Sequence, residues 1–329
     1  MSNTPEKFAL VTGGAKRIGA AIVRALAERN YAVYIHCNRS VSEAEALLAT
    51  LPNRSWHKIS CCDFSDPAAR QAWLATLPHF DLVINNASCY RLTAKGRREK
   101  PADRQRYWQV NYHTALEIIA HQQKLLPENT CANAITLLDC DVLTAEHGVK
   151  AFSAPLPGRD SYLATRIALA HKLLELARSS APALRIAAVA PGPVLPPVDC
   201  PTPGMTRILD KVPMHQAVKV EEIVNTILYL ADNPSLTGTI IPVDGGMHLG
   251  VKIPRKKLCF SPAVWRYELS GAMLLIGAVF FVLSGSIRWS AAGAIFMLAA
   301  LAIGNIRQKI LAAVLLAAAA VYISMRGFI

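Results

Sequence analysis

The residues whose types and spacing most directly suggest chemistry stand in "DSYLATRIAL", residues 160–169. Tyr162 opens an apolar helical stretch, and Arg166 follows four places on, one helical turn away. A phenol beside a cation is a candidate proton donor, because a tyrosine near its ordinary pKa of about 10 donates poorly unless neighbouring positive charge tunes it. Arginine supplies that charge and several hydrogen-bond donors, but its planar fork scarcely gives up a proton. The pair therefore suits electrostatic tuning better than a proton relay.

A second constellation lies in "VTGGAKRIGAAIV", residues 11–23. Gly13, Gly14 and Gly19 let the backbone approach a pyrophosphate, and Arg17 and Ile18 stand where the following helix begins and offers its free N–H groups. The next apolar run ends in "HCNRS", residues 36–40, with no carboxylate of the kind that holds the ribose hydroxyls of NAD. Arg17, Arg39 and Ser40 offer two guanidinium groups and a hydroxyl instead, which suit a 2′-phosphate and imply NADPH. Either arginine alone also reads as a solvated surface residue.

These groups need a frame. Between residues 7 and 244, runs at 8–13, 32–37, 57–62, 81–87, 133–139, 184–192 and 238–246 alternate with longer helical stretches. The alternation predicts an α/β fold, a Rossmann-like doubly wound parallel sheet of about seven strands with helices on both faces. The glycine turn then joins the first strand to the first helix.

The chain has 329 residues and a formal net charge of +12. Residues 251–329 hold nine Lys/Arg against one acid, about two thirds of the excess, so the basic balance points to a membrane surface before nucleic acid. The eight cysteines, Cys37, Cys61, Cys62, Cys89, Cys131, Cys140, Cys200 and Cys259, show no CxxC spacing. A zinc site or disulfide framework is not expected, no metal is, and a reducing compartment is the simpler reading. The N-terminal "KFALVTGG" passes straight into glycines and reads as a buried strand, not a signal peptide.

The sequence divides into a domain over 1–250, a basic linker over 251–266 and a membrane region over 267–329. Stretches 267–287, 289–306 and 310–325 are almost free of charge. At about 1.5 Å per residue the first two reach roughly the 30 Å of a bilayer core, and the third is short unless Lys309 and Arg326 snorkel. Three transmembrane helices are expected, with a buried helical hairpin serving dimerisation as the alternative. Lys252, Arg255, Lys256, Lys257 and Arg266 precede the first span, which places the large domain in the cytoplasm and the C-terminus outside. No charged residue lies well inside a span, so the tail anchors or assembles, with membrane lipid as its partner, and does not transport.

The ordered motifs "TGGAKRIG", "CDF" at 62–64, "NNAS" at 85–88, "VN" at 110–111, Tyr162 with a base four residues on, "PG" at 191–192 and "TGTIIPVDGG" at 237–246 resemble those of the short-chain dehydrogenase/reductase family over residues 5–250. Within it the sequence is similar to pteridine reductases and dihydromonapterin reductases. Arg17 replaces the middle glycine of the usual turn, "NNAS" stands for the commoner "NNAG", and "ITLLD" ends in Asp139 where most members have a serine.

The resemblance implies a hydride transfer from NADPH to a pterin-type acceptor, with Tyr162, Arg166, Asp139 and Asn111 as the catalytic set. Asn111 would order water near the site and Asp139 would hold or protonate the pterin. On the residues alone, Asn111 is equally a helix hydrogen-bonding group and Asp139 a turn cap. The resemblance also implies cofactor contacts from Asp63 at the adenine end, from Asn85, Ala87 and Ser88, and from Pro191 and Gly192. Tyr90 would stack on the flat substrate, or be a plain surface or core tyrosine. Arg166 stands where the family has lysine, which places turnover in doubt but not cofactor binding. About ten residues between Asp139 and Tyr162, including "GVKAFSAPLPGRD", look inserted and would shape the pocket as a lid. A 3-oxoacyl or quinone-like acceptor, or a non-catalytic NADPH-binding membrane module, are the competing readings. A homo-oligomer, dimer or tetramer, is expected by kinship.

Overall fold

The computed structural model describes residues 4–90, 99–146, 159–195, 203–210 and 212–249. The chain divides into two units, Met1–Val251 and Lys252–Ile329. The first is described here. The second lies outside the described residues, and with it the expected linker and the three expected spans. Among the described residues no helix is long and apolar enough to cross a membrane.

In chain order the unit comprises β1 (Lys7–Val11), α1 (Arg17–Glu28), β2 (Tyr31–Cys37), α2 (Val41–Thr50), β3 (Lys58–Cys61), α3 (Pro67–Leu74), β4 (Leu82–Asn85), α4 (Pro101–Trp108), α5 (Thr114–Leu125), β5 (Ala132–Leu137), α6 (Asp141–Glu146), α7 (Arg159–Ser180), β6 (Leu184–Pro191), α8 (Pro203–Leu209), α9 (Val220–Asp232) and β7 (Ile240–Val243). The seven strands form one sheet in the order β3-β2-β1-β4-β5-β6-β7, every pair parallel. All seven runs read from the sequence are strands of this sheet. The expected run 81–87 overshoots β4, because Asn86 and Ala87 turn their N–H groups to the Thr12 hydroxyl and leave the ladder.

Strands with both faces covered need apolar side chains in both directions, and these have them. Ala9 and Val11 of β1 pack with Val33, Ile84 and Val189 against Ile22 and Leu26 of α1 and Ile227 of α9. Leu10, one residue out of phase, packs with Val83 and Ala188 against Ile118 of α5 and Leu169 of α7. The buried positions of α7, Thr165, Arg166, Leu169, Ala170, Leu173, Ala177 and Ser180, fall in one stripe at spacings of three and four residues. That stripe is what carries Arg166 inward.

The chain runs from β1 outward through β2 and β3, then returns to place β4 on the other side of β1. At such a switch point the loops after β1 and β4 part and leave a crevice at the carboxyl ends of the strands. A buried arginine braces one wall of it. Arg70 of α3 is 1% exposed. It donates through Nε and Nη2 to the Glu117 carboxylate at 2.7 and 2.8 Å and through Nη1 to Phe64 O at 2.6 Å. Arg70→Ala takes two donors from Glu117, leaving it Gln71 Nε2 at 2.8 Å, and takes the side-chain donor from Phe64 O, and is expected to lower stability by about 3 kcal/mol. Urea unfolding checks this, and an unchanged midpoint would show the brace to be idle.

Candidate active site

The turn after β1 is stitched to the end of β4 before any ligand is considered. Thr12 Oγ1 accepts from Asn86 N at 2.9 Å and Ala87 N at 3.0 Å, and Asn86 Nδ2 donates to Thr12 O at 2.9 Å and Gly13 O at 3.0 Å. Gly13 has φ +63°, a left-handed conformation that glycine adopts without steric cost. A Cβ at Gly19 would stand 2.2 Å from Gly13 O, so the first turn of α1 passes directly against the glycine turn. Arg17, in place of the family glycine, also takes positive φ, +55°, at a cost of roughly 1–2 kcal/mol.

Gly13, Arg17, Ile18, Gly19, Ala87 and Ser88 line one cleft of about 410 Å³, with Asp63 on its far wall. No Cβ fits at Gly19, and the first residues of α1, Arg17, Ile18 and Gly19, line the cleft, where a helix N-terminus favours an anion. These features fit a dinucleotide pyrophosphate. Five expected contacts fall elsewhere. Arg39 is exposed beyond the end of β2 and Ser40 precedes α2, and neither lines the cleft; its cations are Lys16, Arg17 and Arg106. Asn85, the last residue of β4, does not line it either. Asn86, which follows the strand, lines the cleft, while Asn85 donates to Thr136 Oγ1 at 3.4 Å in a small cavity beside Arg166. Pro191 ends β6 and Gly192 follows it, both outside this cleft, and Pro191 O accepts from Cys140 N at 3.0 Å.

One residue that sequence reasoning passed over organises the floor. His36, 3% exposed, accepts from Gly13 N through Nδ1 at 3.1 Å and donates through Nε2 to Cys62 O at 3.1 Å, which makes it the neutral Nε2–H tautomer. It stacks on Phe64 with centroids 3.9 Å apart. Burial lowers its pKa from 6.5 to about 4. The unfolded chain therefore binds a proton near pH 6.5 that the folded chain refuses until about pH 4. Stability is full above that window and is expected to fall by about 3 kcal/mol as pH drops through it. His57, which accepts from Val33 N at 3.1 Å and is also lowered by burial, acts in the same sense. Thermal melts from pH 7.5 to 4 test the sum, with His36→Gln expected to flatten the slope.

Beyond the cleft, Asp139 after β5 meets α7. Asp139 Oδ2 accepts from Tyr162 Oη at 2.9 Å and from Arg166 Nε at 3.0 Å. Arg166, 4% exposed, also donates through Nη2 to Leu137 O. The Arg166 charge does lower the Tyr162 phenol, as expected, but it does not set the balance. Burial and then the Asp139 carboxylate push the phenol well above its ordinary value, and the Arg166 charge only partly opposes them. The guanidinium is tied to Asp139 and the strand instead of standing beside the phenol alone. Ser88 hydrogen-bonds the phenol as well.

Asn111 lies in a π-helical turn, Gln109–His113, between α4 and α5. Its Oδ1 accepts from Cys89 N at 2.8 Å and Ser88 Oγ at 3.2 Å, and its Nδ2 donates to Cys89 O at 3.0 Å. It thus clamps the loop after β4 and holds Ser88 beside Tyr162. The Tyr90 ring lies 5.0 Å from that of Tyr162, centroid to centroid, and Tyr107 6.1 Å, nearly edge-on. Tyr107 and Arg106 carry no distinguishing signal, since both stand in an ordinary helical context, whereas Asn86 and Lys16 stand inside the motifs "NNAS" and "TGGAKRIG" without having been singled out. The expected insert falls largely on residues 147–158, outside the described residues.

A parallel doubly wound sheet with a glycine turn at its switch point, and a phenol, a carboxylate and a guanidinium gathered at the same edge, define an oxidoreductase of the dinucleotide-binding class. Residues 13–248 match the family described as enoyl-(acyl carrier protein) reductase, and the chain belongs to it, within the short-chain dehydrogenase/reductases. Pteridine reductase 1 of Leishmania tarentolae is 28% identical over 285 residues, covering 73% of this chain and 96% of that protein. L-xylulose reductase of Bos taurus is 27% identical over 245 residues, covering 72% and 95%. The structure of FolM alternative dihydrofolate reductase 1 from Brucella canis, complexed with NADP, superposes with a TM-score of 0.64 at 30% identity, covering 77% of this chain and 98% of that one.

Proposed function

We propose that this chain is an NADPH-dependent reductase of a pterin-type, dihydropteridine- or dihydrofolate-like, substrate. The observation that carries the reading is Asp139, a carboxylate at the end of β5 bonded to both Tyr162 and Arg166. The names of two relatives, a pteridine reductase and an alternative dihydrofolate reductase complexed with NADP, support it. NADPH, when bound, supplies the hydride. Lys16, Arg17 and the first N–H groups of α1 would hold its phosphates.

Tyr162 Oη holds the proton that the nitrogen of a reduced C=N bond takes up. Ser88 and the Arg166 charge stabilise the phenolate left behind, and Asp139, a third exposed, is placed to pass a proton back from solvent. Arg166 holds Asp139 in place through Nε and does not itself release a proton. Tyr90 offers its face to a flat ring.

The test incubates full-length protein with NADPH and dihydrobiopterin or dihydrofolate and follows the loss of NADPH absorbance. Turnover that disappears in Tyr162→Phe supports the reading. Turnover only with a 3-oxoacyl, quinone-like or sugar carbonyl acceptor would replace the pterin with that class. A second reading, a non-catalytic NADPH-binding module, is favoured by the commitment of Arg166 to Asp139 and Leu137 O. Tight NADPH binding without turnover, and a large gain on Arg166→Lys, would select it.

We also propose that residues 251–329 anchor the protein in a membrane with the reductase domain in the cytoplasm, on the strength of three nearly uncharged stretches behind a basic linker. Carbonate-resistant sedimentation with membranes tests the anchor. A homo-oligomer belongs to the same proposal, and mass photometry of detergent-solubilised protein tests it.

A further inference from the structure

We propose that Cys37 and Cys61 form a reversible disulfide that weakens dinucleotide binding, a modification site for hydroperoxides. The inference rests on the NADPH reading above for its effect, but not for the cross-link itself. Cys37 is the last residue of β2 and Cys61 the last of β3, and the two are register partners in the parallel ladder. Their sulfurs stand 3.5 Å apart. Neighbouring strands lie about 4.8 Å apart, inside the span of about 4.4–6.8 Å between α-carbons that a disulfide bridges. Closure therefore needs side-chain rotation and a small approach of the strand ends, not a rearrangement of the sheet.

The two thiols are unequal. Cys61 is exposed and Cys37 is buried. Burial, and then the neighbouring Cys61, push the Cys37 thiol up to about 12, so Cys61 is the thiol that meets the oxidant. The Cys61 thiolate attacks a peroxide oxygen: an S–O bond forms, the O–O bond breaks, and the leaving oxygen departs as water or alcohol. The Cys37 sulfur then attacks the Cys61 sulfur, the S–S bond forms, the S–O bond breaks, and hydroxide leaves with the Cys37 proton as water. Two thiols lose two electrons to one peroxide, and a dithiol reductant restores them.

The position gives the cross-link its consequence. Asn38 follows Cys37 directly, Cys62 and Asp63 follow Cys61, and all three line the dinucleotide cleft. Asn38 hydrogen-bonds Asp63 across the gap between the strand ends. Drawing those ends together narrows the wall on which the adenosine side of the cofactor would rest.

Full-length protein is treated with hydrogen peroxide, alkylated and digested, while NADPH affinity is measured by calorimetry before and after. The expected result is a Cys37–Cys61 cross-linked peptide, a dissociation constant raised at least about threefold, and reversal of both by dithiothreitol. Cys61→Ser, at an exposed position, should keep the reduced affinity and lose the response. A map showing only sulfenic or sulfinic Cys61, or a bridge to Cys62 instead, overturns the proposal, as does a cross-link with unchanged affinity. Absence of NADPH uptake by the reduced protein would overturn the cofactor reading and the binding half of this one together. A missing cross-link on protein that does bind NADPH overturns this one alone.

Discussion

Replacing Tyr162 by phenylalanine is expected to lower kcat by about 10²–10⁴-fold, the usual contribution of a positioned general acid. NADPH affinity should be unchanged, because Tyr162 does not line the glycine-turn cleft. The substitution removes one oxygen and keeps the ring against Tyr90 and Tyr107, so the pocket retains its shape. Asp139 loses one donor and keeps Arg166. Steady-state kinetics with calorimetric binding separate the two effects, and a rate within about tenfold of the native enzyme would remove Tyr162 from the chemistry. The pH profile adds a signature. Burial and Asp139 raise the phenol, so it stays protonated and able to donate well above the usual tyrosine range. Asp139→Asn removes the second of those causes, and the alkaline limb of kcat should move to lower pH.

Gly19→Ala should cost about 3 kcal/mol in NADPH binding, roughly a hundredfold in dissociation constant, and about 1–3 kcal/mol in stability. The added carbon would stand 2.2 Å from Gly13 O and 2.8 Å from Asn86 Nδ2. Neither neighbour yields easily. Gly13 is held from below by His36 and Asn86 by its bonds to Thr12 and Gly13. The start of α1 has to move instead, and with it the N–H groups that would meet the pyrophosphate. Calorimetry and a urea titration measure the two losses, and an alanine variant that binds NADPH like the native protein would show that the cleft is not the phosphate site.

The strands were legible because each is a short apolar run between helical stretches, a pattern set by burial on both faces and visible without any partner. The glycine turn was legible for a similar reason: its conformational demands fall on residues 13–19 themselves. The side chains that answer the turn were not. Gly13 binds His36 and Asn86, residues 23 and 73 places away, and either bond depends on how β2 and β4 come to flank β1.

The sequence alone determined the order of strands and helices, the dinucleotide turn, and the candidacy of Tyr162 and Arg166, because local spacing and residue type carry that information; Asp139 became a candidate only through the family resemblance. Which group each of them bonds was decided only by the tertiary structure. Asp139 and Tyr162 stand 23 residues apart, and the buried stripe of α7 brings Arg166 to the carboxylate and to Leu137 O. Helical spacing places a cation one turn from a phenol, but a carboxylate from the neighbouring strand end takes that cation, since a buried guanidinium is stabilised most by the nearest opposite charge.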